Sequence, residues 1–200
     1  MYAVGHLALG YLSGKTASKI LNVNINIPLL FLASVLPDVD LLIPGLEHRG
    51  PMHSVIVFCL LFLPASVFFG KRAIPYFMAL TQHILIGDYL TGEGIQLIWP
   101  ITFNWYGLGM EITSLANIFL ELVLFFTSIA IMVKTKDAWL LFQHHPSNLT
   151  LSIPVLAVLL PTFLSFPLSV PVELIIPHLT YLTIFTLSIL TDLKSTLKPG

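Results

Sequence analysis

The hydropathy pattern of this chain limits its fold more tightly than any motif does. Residues 54–70, 73–90, 114–133, 151–166 and 170–190 are nearly unbroken apolar runs, each close to the roughly 20 residues with which an α-helix crosses a bilayer. Two shorter apolar runs, 5–21 and 27–36, precede them and read as a tilted helix followed by a re-entrant or half-spanning segment. Composition agrees: hydrophobic residues make up 56% of the chain and charged residues 10%, against roughly 25% charged in soluble domains. So few charges could not cover that much apolar surface in water. The expected fold is all-α, a polytopic transmembrane helical bundle with six or seven membrane segments. It is expected to form one integral membrane domain over residues 1–200, with the polar chemistry in 1–112 and a helical scaffold in 113–200.

Charge position is more informative than the net charge of −1, which suggests neither a nucleic-acid face nor an acidic tail. Lys and Arg near membrane segments are retained on the cytoplasmic side. Placing Lys15/Lys19, Lys71/Arg72, Lys134/Lys136 and Lys194/Lys198 there requires seven crossings and puts loops 37–53 and 91–112 together on the outer face. The N-terminal stretch lacks the basic flank and long apolar region of a signal peptide, so insertion is expected to rely on the first helix. The single cysteine, Cys59, lies in an apolar run. It can build neither a disulfide framework nor a thiolate zinc site within the chain, and is expected to pack. Prolines 64, 154, 161 and 177 fall inside apolar runs, where they should kink helices. Trp99, Trp105, Tyr89 and Tyr106 read as an interfacial aromatic belt.

Ten of the seventeen His, Asp and Glu residues lie in the first 111 positions: His6, Asp38, Asp40, Glu47, His48, His53, His83, Asp88, Glu93 and Glu111. Several sit inside or beside apolar runs, where an unpaired ionised group costs several kcal/mol, so they should face protein and share a partner. A divalent cation is the simplest common partner. The topology brings His6, Asp38, Asp40, His53, His83 and Asp88 to one side of the membrane. Imidazole and carboxylate ligands without thiolate suit catalytic zinc, with manganese, magnesium or iron as alternatives. An extended backbone after Pro37 would point Asp38 and Asp40 the same way. His83 and Asp88 are five apart, about 140° around an α-helix, so they share a face only if the helix is interrupted, with Gly87 as the expected break. By contrast Glu121 and Asp192 look isolated, His144-His145 reads as loop, His178 as packing, and the Asn148 sequon as chance.

The residues His6 with Gly10-Tyr11, the block LPDVD at 36–40, the block HRGPMHS at 48–54, and His83 and Asp88 with Thr91 and Gly94 resemble the YdjM-like membrane-bound metal-dependent hydrolases, a family also described as LexA-binding and inner-membrane-associated. The resemblance covers about residues 1–100, and the two blocks in order are its specific part. It implies a hydrolase of the cytoplasmic (inner) membrane of a bacterium or archaeon, without naming a substrate. The ligand order is also similar to that of zinc-dependent phospholipase C enzymes, although the interval from His83 to Asp88 is one residue longer and a later ligand helix is not evident.

The leading expectation is a membrane hydrolase in which the six ligands hold one or two divalent ions near the outer interface and activate water. A lipid or lipid-linked phosphoester is the expected substrate. Arg49 would hold an anionic head group, and Glu93 or Glu111 would carry protons. The alternatives are an ion- or proton-handling membrane protein and a non-catalytic protein stabilised by its metal. The expected partners are the lipid bilayer and a lipid substrate, and no nucleic acid is expected.

Overall fold

A computed structural model describes residues 1–164 and 169–196. The described chain is mostly helical. No β-strand occurs among the described residues, only the isolated bridges Thr91–Met110 and Ile95–Tyr106. The principal helices are α1 (Ala3–Leu21), α2 (Ile27–Ser34), α3 (Val55–Phe69), α4 (Ile74–Gln82), α5 (Leu115–Lys134), α6 (Asp137–Leu140), α7 (Ser152–Pro154), α8 (Leu160–Leu164) and α9 (Val172–Thr196). Among the described residues, three segments are long and apolar enough to cross a membrane: Val55–Arg72, Leu115–Lys134 and Val172–Lys194. Pro146–Thr162 is a shorter apolar helix.

Two expected spans are built differently from the plain helices that hydropathy suggests. The run 73–90 is α4 continued by a π-helical turn, His83–Asp88. The run 151–166 is a chain of short pieces, a 3₁₀ turn at Pro146–Leu151, α7, a π segment at Val155–Leu159 and α8, and its last two residues lie outside the described ones. Pro154 directly precedes that π segment, the kind of local rearrangement a proline forces by removing an N–H. Pro64 and Pro177, by comparison, lie within continuous helices.

Helix α1 sits at the centre, packed against α2, α4 and α5. Its side chains Val4, Leu7, Ala8 and Tyr11 are fully buried. Lipid tails are as apolar as leucine, so helices associate in a bilayer through close packing and polar contacts more than through hydrophobic drive. Gly10 shows this directly: a Cβ there would overlap the side chain of Ser34 and approach Gln82. At Gly14 a Cβ would meet Leu30 and the Pro75 carbonyl. These glycines let α2 and α4 approach the α1 backbone.

Polar contacts mark the two ends. At one, Glu121 of α5 accepts from the N–H groups of Tyr2 (2.7 Å) and Gly5 (2.9 Å) and from the Asn117 amide (2.9 Å). Helix α1 has no side-chain cap of its own, and this carboxylate satisfies its first turn and complements its dipole. Glu121 is therefore not isolated. At the other end Lys15 pairs with Asp137, which also accepts from the Tyr11 hydroxyl (2.7 Å), and His144 pairs with Asp192. Asn148, in its buried position, donates to the Gln143 carbonyl (2.8 Å). Cys59 departs from expectation: it is free and exposed on α3.

Loops 37–53 and 91–112 come together, as expected from the cation pattern. Gln96 N–H donates to the Arg49 carbonyl, Val55 N–H to the Leu97 carbonyl, and Ser54 Oγ to the Trp99 carbonyl. Ser54 also caps α3 by accepting from Ile56 and Val57 N–H.

Candidate metal centre

Three local departures from the α-helix build the polar cluster. Leu36–Leu42 is a 3₁₀ helix, not an extended strand, and its two carboxylates reach opposite edges of the same imidazole. Asp38 Oδ1 lies 3.5 Å from His53 Nε2, and Asp40 Oδ2 lies 3.3 Å from His53 Nδ1. His53 itself ends the short 3₁₀ turn Pro51–His53. The π turn His83–Asp88 solves the five-residue interval, because i→i+5 hydrogen bonding places residues five apart nearly above one another. Gly87 serves a different purpose from the expected helix break. A Cβ there would run into the His6 ring, so glycine is what lets α1 lay His6 against this turn.

Asp38, His53, His83 and Asp88 form a set whose ligand atoms could hold one ion, and all four residues are buried. His53 Nε2 is 3.5 Å from Asp38 Oδ1 and 3.1 Å from Asp88 Oδ2, while His83 Nε2 is 3.3 Å and 3.1 Å from the same two oxygens. Four ligands at the usual zinc distances of roughly 2.0–2.1 Å in a tetrahedron would be about 3.3 Å apart. Both Nε2 atoms are buried without a hydrogen bond, although each stands within ion-pair reach of two carboxylates. The four ligand atoms all lie within 4.8 Å of one another, so one small divalent cation could be held by all of them at a common point.

Surrounding groups orient the ligands. His83 Nδ1 is 2.9 Å from the Ser34 carbonyl, which can only accept, so Nδ1 carries a proton and Nε2 is the nitrogen turned toward the cluster. Asp40 stands behind the His53 ring at ion-pair distance, its Oδ2 3.3 Å from Nδ1, without a hydrogen bond between them. The Asp40 carboxylate accepts from His48 Nδ1 (3.0 Å) and from Arg49 N–H (3.3 Å). His6 stacks on His83 with ring centroids 3.7 Å apart and places Nε2 3.4 Å from Asp88 Oδ1. Asp40 and His6 thus stand beside the four-residue set, and Asp40 forms a second group with His48 and His53.

Electrostatics follow from this crowding. Burial pushes the Asp38 carboxyl up, but the His83 charge and the adjoining His53 ring hold it well below the usual carboxylate range. Burial also raises Asp40, and His48 and His53 outweigh it, so it too lies low. For His53, burial favours the neutral ring, yet the Asp38, Asp40 and Asp88 carboxylates raise it well above the ordinary imidazole value. Anionic oxygens packed this densely demand positive charge.

Arg49 covers the cluster in a left-handed conformation, φ 64°. Its guanidinium donates to Asp88 Oδ1 (2.8 Å) and to the Thr91 carbonyl (2.7 Å), which leaves three of its five N–H donors unassigned. Arg49 and His48 line two adjoining cavities. The first, about 360 Å³, is lined by Asp38, Asp88 and Arg49 together with Val158, Pro161 and Val170. The second, about 620 Å³, reaches Glu93 and Trp105. Glu93 is exposed at that opening, and Glu111, also exposed, lines neither cavity.

The sequence description of the YdjM inner membrane protein family matches residues 1–169. This chain belongs to that family. The match includes every residue of the cluster and extends well beyond the first 100 residues that carry the two motif blocks, and the family places the protein in the inner membrane. No curated protein and no solved structure matches the chain.

Two contributions escaped sequence reasoning. His48 stands next to the motif residues but was not expected to hold Asp40, and only its place in the HRGPMHS block pointed to it. Glu121 gave no signal, because its partners are backbone N–H groups more than a hundred residues away.

Proposed function

We propose that this protein is a multi-pass membrane hydrolase that uses a divalent cation, zinc first among the candidates, held by Asp38, His53, His83 and Asp88. The observation that carries the reading is the pair of buried, unbonded Nε2 atoms of His53 and His83 facing two carboxylates at tetrahedral-edge distances. A cation bound there supplies Lewis acidity and an activated water at neutral pH. Asp40 holds the His53 ring from behind, and the Ser34 carbonyl holds the His83 ring. His6 supports His83 by stacking. Arg49 keeps Asp88 in place and offers its remaining donors to an anionic group in the cavity, while Glu93 at the second opening is placed to exchange protons with solvent.

A lipid or lipid-linked phosphoester is the substrate class this reading favours. The lining of the 360 Å³ cavity combines charged side chains with apolar ones, which suits an amphiphile. The seven-segment reading of the cation pattern, with the cation-rich ends inside, supports a cluster near the outer face of the inner membrane.

The test is elemental analysis of the detergent-purified chain beside Asp38→Ala and His53→Ala, followed by a screen of lipid phosphoesters. One equivalent of metal in the parent protein, lost from both variants together with hydrolysis, is expected. Metal retained in both variants would reject the site. A second reading, a metal that only stabilises the fold, is favoured by the complete burial of His53 and His83; it predicts a chelator-dependent fall in melting temperature without any turnover.

A further inference from the structure

The far side of α2 from the metal centre carries an apolar groove that the proposed hydrolysis does not use. Its floor is a stripe on α2 and just beyond it, Leu29, Leu32, Ala33 and Leu36, at i, i+3, i+4 and i+7. Its opposite wall is a matching stripe on α3, Phe62, Ala65 and Phe69 at i, i+3 and i+7, continued by Arg72. Such stripes ordinarily mark faces that pack on each other, but here they stand apart and enclose about 440 Å³. Taking roughly 30 Å³ for a unit the size of a water or a methylene, the space holds one chain of about fifteen carbons. The groove runs from Leu36, two residues before Asp38, to Arg72 and Asn24 at the opposite end of the molecule. Arg72 is exposed, and no carboxylate partners it among the described residues.

We infer that this groove holds one acyl chain of an anionic phospholipid whose phosphate is bound by Arg72, in the leaflet opposite the metal centre. The surrounding face supports this occupant. Helix α3 is 6% buried over its span, and Leu61, Val67 and Phe68 are among its widely exposed side chains, so the groove opens toward lipid tails. An empty apolar volume in that setting fills with the nearest chain; a guanidinium at its mouth pairs with a phosphate through a charge-assisted, two-point contact and favours a lipid whose head group carries no cation of its own to repel it. Because its head group lies at the far end from Asp38 and His53, this lipid is a resident component and not the hydrolysed substrate.

Native mass spectrometry of the full chain, released from mild detergent after exchange into equal amounts of phosphatidylglycerol and phosphatidylcholine, tests the inference. The parent protein should retain one phosphatidylglycerol per chain, preferred about tenfold over phosphatidylcholine. Ala65→Trp, which fills the groove, should lose the retained lipid. Arg72→Gln, on the exposed rim, should bind either lipid equally, and it decides the matter if Ala65→Trp does not fold. Equal retention of the two lipids by the parent protein, undiminished lipid on Ala65→Trp, or a lipid-free dimer seated on this face would each overturn it. Metal content does not enter the readout, so the outcome is separable from that of the hydrolase test.

Discussion

Helices α1 and α3 invert what their hydropathy suggests. Helix α3 is the more apolar, a run of Val, Ile, Phe and Leu broken only by Cys59, Pro64, Ala65 and Ser66, yet Phe58 is its single buried residue. Helix α1 contains His6, Lys15, three glycines and several hydroxyls, falls short of the criteria for a spanning helix, and forms the centre of the molecule. In water the greasier helix would be the buried one. In lipid an apolar side chain gains little by leaving its neighbours, and the central place goes to the helix that offers close approach and hydrogen bonds. Gly10 against Ser34, Gln82 donating to the His6 carbonyl and Glu121 capping the first turn are such features.

The contrast can be broken by mutation. The largest effect is expected at Gly10→Leu, where the new side chain would collide with Ser34 and separate α1 from α2. A loss of about 3 kcal/mol, seen as failure to purify as a monodisperse species, follows from overpacking a close helix contact. A stable, monodisperse Gly10→Leu protein would remove α1 from the centre. Glu121→Ala comes next: it leaves the Tyr2 and Gly5 N–H groups and the Asn117 amide without their carboxylate, at a cost of about 1–3 kcal/mol. Its melting temperature should fall, and metal content should fall with it, because the first turn of α1 carries His6.

At the other end, Lys15→Met should cost about 1 kcal/mol or less, since Lys15 is partly exposed and Asp137 keeps its hydrogen bond from Tyr11. Thermal unfolding beside Glu121→Ala would measure how unequally the two ends of α1 are held, and a Lys15→Met loss as large as that of Glu121→Ala would contradict the ranking. The smallest effect is expected on α3. Leu61→Ala, at a side chain that is 63% exposed, should stay within about 0.5 kcal/mol of the parent protein. A drop of several kcal/mol there would mean that α3 is covered by another protein surface and not by lipid.

Much of the candidate site was legible in the chain. The LPDVD and HRGPMHS blocks, with His83 and Asp88, include all four residues that surround the common point. The arrangement itself was not. A spacing of five argued against a shared helix face until the π turn supplied the geometry, and Asp38 and Asp40 were expected to point together from an extended strand, whereas a 3₁₀ helix sets them at the two nitrogens of His53. Both conformations depend on what the backbone packs against, as with His6 against Gly87, and no local preference announces them.

By itself the sequence determined the solvent, the helical class and the identity of the polar cluster, because burying unpaired charge and backbone in lipid is costly wherever it occurs along a chain. Only the tertiary structure decided which helix is central, which carboxylates stand at the common point and which stand behind it, and that Glu121 serves the first turn of α1. Those outcomes are set by contacts between residues distant in sequence. In lipid such contacts depend on the fit of glycine to side chain and of donor to acceptor, which composition does not encode.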